Sequence, residues 1–167
     1  ANETELKDAP DDGTAALVLL GGYPQVTNGT SGPELTATFR IPPSGKTTIR
    51  FLLAWHFPNM RDLPGLGKQV PQHAARFPDA AAVARDVAKR FDALREATMR
   101  WVEVWNDSTL PQWLLDRAIL TTNTLQTTNC HVLANGRFWA WEGVGCCAGT
   151  CAHVWHYAQG VARYLQA

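Results

Sequence analysis

The sequence has no excess charge of either sign: Lys plus Arg number 15, and Asp plus Glu number 15. That balance leaves no net field to draw in nucleic acid or an anionic membrane surface. Nor does any apolar run approach the roughly 18–20 residues that a transmembrane helix needs. There is no internal repeat and no low-complexity tract. No charged-then-apolar leader opens the chain, and the helical pattern of Ala158 to Ala167 runs to the last residue without a stop signal. We therefore expect a piece of a longer protein, and the missing leader carries no information on compartment.

What the sequence does have is tryptophan, seven in 167 residues, within a chain that is 46% apolar. Each indole can bury roughly 150–250 Å² in a core. Each can also stack on the axial C–H face of a sugar ring. Packing is the commoner use of a single tryptophan, whereas the excess as a group points toward carbohydrate.

The pattern along the chain changes twice. After an acidic start (Glu3, Glu5, Asp8, Asp11, Asp12), Ala16 to Leu20 form an apolar run closed by Gly21-Gly22, and Gly29 to Pro33 have loop composition. Leu35 to Ile41 and Thr47 to Phe57 are rich in β-branched and aromatic residues. They flank Pro42-Pro43-Ser44-Gly45-Lys46, which predicts a hairpin. A hairpin is not stable by itself, so these strands should belong to a larger sheet. Residues 58–78 read as a Pro/Gly-rich connection between domains. From Asp79, an N-cap, one helix is expected through Asn106, with Val83, Val87, Phe91, Leu94, Met99, Val102 and Trp105 on its apolar stripe. A second should start near Pro111 and reach Leu125. Asn135-Gly136 then predicts a two-residue type I′ turn joining His131–Ala134 to Arg137–Trp141. Glu142-Gly143 leads from that hairpin into a small-residue loop. A last helix from Cys151 places His153 and Tyr157 on one face. The order, strands first and paired helices after, is α+β.

Two groups of residues can carry chemistry. Glu142 follows an aromatic strand and precedes glycine, which leaves one side of its carboxylate open, with Trp139 and Trp141 able to exclude water beside it. That suits a carboxylate facing an oxocarbenium-like centre, and an exposed loop glutamate is the plainer alternative. The second group is Cys146, Cys147, Cys151 and His153, with Cys130 and His131 upstream. Thiolate and imidazole are zinc ligands, although Cys-Cys-x3-Cys-x-His is no standard zinc pattern. Buried thiols, a metal site and a disulfide stay open as readings. Nothing marks one thiol as an activated nucleophile. His56 and His73 read as structural hydrogen-bonders.

Four strings in order go beyond these generic signals. Ala54-Trp55-His56-Phe57-Pro58-Asn59 resembles the junction between the β-domain and catalytic domain of the non-lysosomal glucosylceramidase and bile-acid β-glucosidase family, glycoside hydrolase family 116. Arg76-Phe77-Pro78-Asp79-Ala80, Trp105-Asn106-Asp107-Ser108-Thr109-Leu110-Pro111-Gln112-Trp113-Leu114 and Gly136-Arg137-Phe138-Trp139-Ala140-Trp141-Glu142-Gly143 follow in the family's order. Cys151-Ala152-His153-Val154-Trp155-His156-Tyr157-Ala158-Gln159 is similar to its bacterial branch. The resemblance runs from about residue 35 to the end.

It implies that residues 1–57 close an N-terminal β-sandwich, that 58–78 connect, and that 79–167 begin an (α/α)6 barrel. It also implies a retaining mechanism on β-glucosides without a cofactor or metal. Glu142 matches the family nucleophile, while the acid/base aspartate would lie beyond this chain. Trp139, Trp141 and His153 stand at substrate-binding positions. His153 departs from the vertebrate-type pattern, which has an aspartate there, and an imidazole cannot offer a bidentate carboxylate to two hydroxyls. The implied partners are a carbohydrate substrate and the rest of the parent protein, with no nucleic acid and no transmembrane segment. The competing expectation is a non-catalytic, Trp-rich sugar-binding or zinc-stabilised interaction module.

Overall fold

A computed structural model of the protein describes residues 9–21, 25–29, 32–60, 62–63, 66–120, 125, 127, 129–142 and 151–152. Among them are three two-stranded antiparallel sheets and four helices, a mixed α and β arrangement. The strands are β1 (Thr14–Leu20), β2 (Gln25–Gly29), β3 (Gly32–Thr36), β4 (Arg50–His56), β5 (Cys130–Val132) and β6 (Phe138–Ala140). The helices are α1 (Gln72–Arg76), α2 (Ala80–Lys89), α3 (Phe91–Asn106) and α4 (Gln112–Leu120). No helix among the described residues is long and apolar enough to cross a membrane.

The hairpin expected across Pro42–Lys46 does not form. Its turn is present, closed by the Gly45 N–H donating to the Pro42 carbonyl at 2.9 Å, with Ser44 at φ 60°. The flanking strands pair elsewhere. β3 stops at Thr36 and joins β2, and β4 joins β1 in a register running from Thr14 opposite His56 to Leu20 opposite Arg50. Two adjacent prolines supply no ladder N–H and hold Ile41 extended, so the chain leaves this turn unpaired. Within the Gly29–Pro33 stretch, read as loop, Gly29, Gly32 and Pro33 belong to the strands, with Gly29 opposite Gly32.

The β1–β4 pairing is favoured by what covers it. α2 packs on both strands, over the face that carries Ala54 and His56, both buried, with Val18 and Leu52 half-buried. The opposite face leaves Leu17, Phe51, Leu53 and Trp55 about half exposed. The side chain of Asp79 caps α2 as expected, accepting from the Ala82 N–H at 2.7 Å. A second donor of the first turn, the Ala80 N–H, reaches the Thr14 hydroxyl at 2.8 Å.

The single helix expected from Asp79 to Asn106 is broken at Arg90 (φ −107°, ψ 13°), whose N–H is shared between the Asp86 and Val87 carbonyls. The Arg90 guanidinium bonds the Asp86 carboxylate, which this contact holds below the ordinary carboxylate range. Beyond the break, the Arg50 guanidinium stands over the Phe91 ring at 5.3 Å. The break lets α2 stay on the sheet while α3 leaves it. Consequently α3 has no buried residue, and Met99, Trp101, Val102 and Val104 of the expected helix are exposed. α4 spans Gln112–Leu120, so Leu125 lies outside it.

Candidate functional site

The β5–β6 hairpin positions the sequence-predicted site. Its register sets Cys130 opposite Ala140, His131 opposite Trp139 and Val132 opposite Phe138. The connection is a three-residue loop rather than the expected two-residue type I′ turn. The Leu133 N–H donates to the Arg137 carbonyl, and the Gly136 N–H donates to the Leu133 carbonyl, both at 2.9 Å. Gly136 takes φ 82°, while Asn135 stays out of the positive-φ region. Its side chain instead accepts from the Arg137 N–H at 3.0 Å. A type I′ turn needs positive φ at both central residues. The longer loop avoids that at Asn135 and turns Leu133 inward, where it is 1% exposed and bridges Pro71. The neighbouring Ala134 N–H donates to the Val70 carbonyl at 2.9 Å.

Side chains alternate along this hairpin, so His131, Trp139 and Trp141 belong to the inner face with Leu133. Trp141 is buried, and its ring stacks on His131 with centroids 5.7 Å apart and planes 28° apart. Its N–H donates to the Asn129 carbonyl at 3.0 Å. Trp139 is half-buried beneath the Arg137 guanidinium at 5.4 Å. Its indole N–H is buried with no acceptor among the described residues. Glu142, next along the chain, is half-buried, and its N–H donates to the Cys151 carbonyl at 2.9 Å. Thus consecutive N–H groups, of Trp141 and of Glu142, tie the chain on the approach to the Glu142 side chain. His153, the remaining expected substrate contact, lies outside the described residues.

Histidine brings further elements to the hairpin. His131 is pushed below its ordinary pKa first by burial and then by the charge of His73, so it is neutral near pH 7. His73 on α1 has its Nε2 2.8 Å from the Phe57 carbonyl oxygen and its ring edge-on to His56, centroids 5.3 Å apart. His56 ends β4, is 3% exposed, and its Nε2 has no hydrogen-bond partner among the described residues. Its carbonyl lies so close to Gly13 that a Cβ there would collide with it. The sequence offered one signal for His56, a polar residue on the inward alternation of a strand. Nothing in the spacing of residues 56 and 73 forecast that their rings meet.

Of the cysteine group, Cys130 is buried, and burial pushes its thiol up, which disfavours a thiolate. Cys151 is exposed. Cys146 and Cys147 lie outside the described residues. Among those described, no group of three or more His, Cys, Asp or Glu is placed to hold a metal ion. An open cleft of about 420 Å³ is lined by Pro58, Asn59, Met60, Asp62, Lys68, Gln69 and Val70, none of them a residue of the hairpin. In comparisons with family models and with curated proteins, nothing matches the chain.

Proposed function

We propose that the chain is part of a retaining β-glycosidase of the glucosylceramidase and bile-acid β-glucosidase type, with Glu142 as its nucleophile. The ordered motifs that surround Trp139-Ala140-Trp141-Glu142-Gly143 carry the reading. The geometry supports it at one point. Glu142 emerges half-buried from an aromatic hairpin, its own N–H and that of Trp141 both hydrogen-bonded, and three residues after Trp139, whose buried indole N–H has no acceptor among the described residues.

In this reading β1 and β4 belong to the closing strands of a β-sandwich, and α2 to α4 to the opening helices of an (α/α)6 barrel. The apolar face carrying Leu17, Phe51, Leu53 and Trp55 then packs against the parent protein. Glu142 attacks the anomeric carbon and displaces the aglycone oxygen, which takes a proton from an acid supplied elsewhere in the parent. Water, deprotonated by the same group, then releases the sugar with retention. The two carboxyl groups of such a pair stand about 5–5.5 Å apart.

The test uses the full-length protein. Glu142→Gln should abolish β-glucoside turnover while leaving the far-UV circular dichroism unchanged, and a mechanism-based glycoside inhibitor should label Glu142 by mass spectrometry. Label on another residue would overturn the assignment. One bound zinc per chain, with turnover absent before and after the substitution, would favour the interaction module instead.

A further inference from the structure

Two imidazoles from separate elements meet where β4 ends: His56, its last residue, and His73 of α1. Their ring centroids are 5.3 Å apart, with the planes at 83°. His56 is 3% exposed, and its Nε2 has no hydrogen-bond partner among the described residues. A buried ring nitrogen left unpaired is costly, so the position calls for a partner. His73 is exposed, and its Nε2 lies 2.8 Å from the Phe57 carbonyl oxygen. A carbonyl only accepts, so that nitrogen carries the proton, and the lone pair of the neutral ring is on Nδ1. A histidine that donates one ring N–H to a backbone carbonyl and keeps the other nitrogen bare is in the state that metal ligands adopt.

We propose that His56 and His73 form a two-imidazole site for a zinc ion, which clips the end of β4 to α1. Zinc at this position lies outside the glycosidase reading and does not depend on it.

The ring spacing selects a tetrahedral ion. With metal–nitrogen bonds of about 2.0–2.1 Å and each nitrogen about 1.1 Å from its ring centre, two imidazoles at a tetrahedral angle have centroids roughly 5.2 Å apart. At the right angle between neighbours in a square-planar or octahedral shell, the separation falls to roughly 4.5 Å. The observed 5.3 Å fits the tetrahedral case. His56 is preset by the β1–β4 ladder, where it stands opposite Thr14, whose hydroxyl accepts from the first turn of α2. Exposure of His73 gives the ion a way in and lets water complete its coordination. The cation on the same helix, Arg76, is engaged with the Phe77 ring at 4.9 Å and with Asp86 at 3.8 Å. Two protein ligands make an open, exchangeable site, unlike the closed four-ligand sites of zinc fingers. An ion held only by the folded chain stabilises it by mass action.

Equilibrium dialysis of the full chain against zinc tests this, in a background of Cys146→Ser, Cys147→Ser and Cys151→Ser that removes the neighbouring thiols as ligands. That protein should bind zinc, and adding His56→Gln or His73→Gln should weaken the binding at least about tenfold. Saturating zinc should raise its urea midpoint and leave the midpoint of either histidine variant unmoved. Cobalt(II) in place of zinc should give the intense visible absorption of a four-coordinate ion. Absence of zinc binding in the serine background, a loss smaller than about tenfold on His73→Gln, or the weak absorption of six-coordinate cobalt would each overturn the site. If His56→Gln fails to fold, the exposed His73→Gln decides alone. Zinc held by the thiols, as an interaction module would hold it, disappears in the serine background and counts against the histidine pair. No readout involves sugar or turnover, so loss of the glycosidase reading would leave this result standing.

Discussion

Leu133→Ala and Val132→Ala, adjacent substitutions on opposite faces of the hairpin where β5 ends, test the hairpin register directly. Leu133 is 1% exposed and Val132 is 43% exposed. Removing the leucine side chain beyond Cβ forfeits most of the roughly 1.5–3 kcal/mol its burial supplies. The cavity left adds to that, giving about 2–4 kcal/mol in total. Val132 loses two methyl groups that water already reaches on one side, which should cost under about 1 kcal/mol. Urea unfolding followed by far-UV circular dichroism separates these outcomes. With a slope of about 1–3 kcal/mol per molar, the leucine change should move the midpoint down by roughly 1–2 M and the valine change by far less. A two-residue turn would slip the register by one and turn the strand over, placing Val132 inside. An equal or larger loss from Val132→Ala would therefore refute the three-residue loop.

Asp79→Ala should cost about 1 kcal/mol of stability in the same assay, and Asp79→Ser should recover most of it, since serine also caps. Cys130 should react with iodoacetamide at least about ten times more slowly in the native protein than in urea, because the thiolate is the reactive form and burial suppresses it. Its raised folded pKa also gives a sign for pH dependence. The folded state holds the proton longer, so this contribution is complete below the unfolded value near 8.5 and is lost as pH rises through the folded value. Cys130→Ala should flatten the fall in urea midpoint between pH 8 and 10.

Local signals in the sequence were dependable where one short segment decides the outcome. Asp79 caps its helix because its own side chain reaches a backbone N–H three residues on. Gly136 takes the positive φ that a tight reversal needs. Choices between distant partners were not legible. The Pro42–Lys46 turn looked like a hairpin tip, yet β4 gains a helix-covered face by pairing with β1. Arg90 sits in an unbroken apolar period, and the break there follows from the sheet that α2 must stay on. At the candidate site, the aromatic run before Glu142 was visible, but the stacking of Trp141 on His131 and the approach of His73 depend on tertiary placement.

The hydrogen bond from the Ala80 N–H to the Thr14 hydroxyl spans 66 residues of chain, and this sets an order of events in folding. The β5–β6 hairpin closes a short loop and belongs among structures that form in about 1–10 μs. Helix α2 can begin from its own cap, but its first turn is completed only when β1 has arrived, and β1 must also find β4 across a long intervening loop. Closing that distance has an entropic cost before any contact repays it. The strands and the helix that covers them should therefore appear together and late, with Thr14 as a residue whose replacement by valine speeds unfolding more than it slows folding.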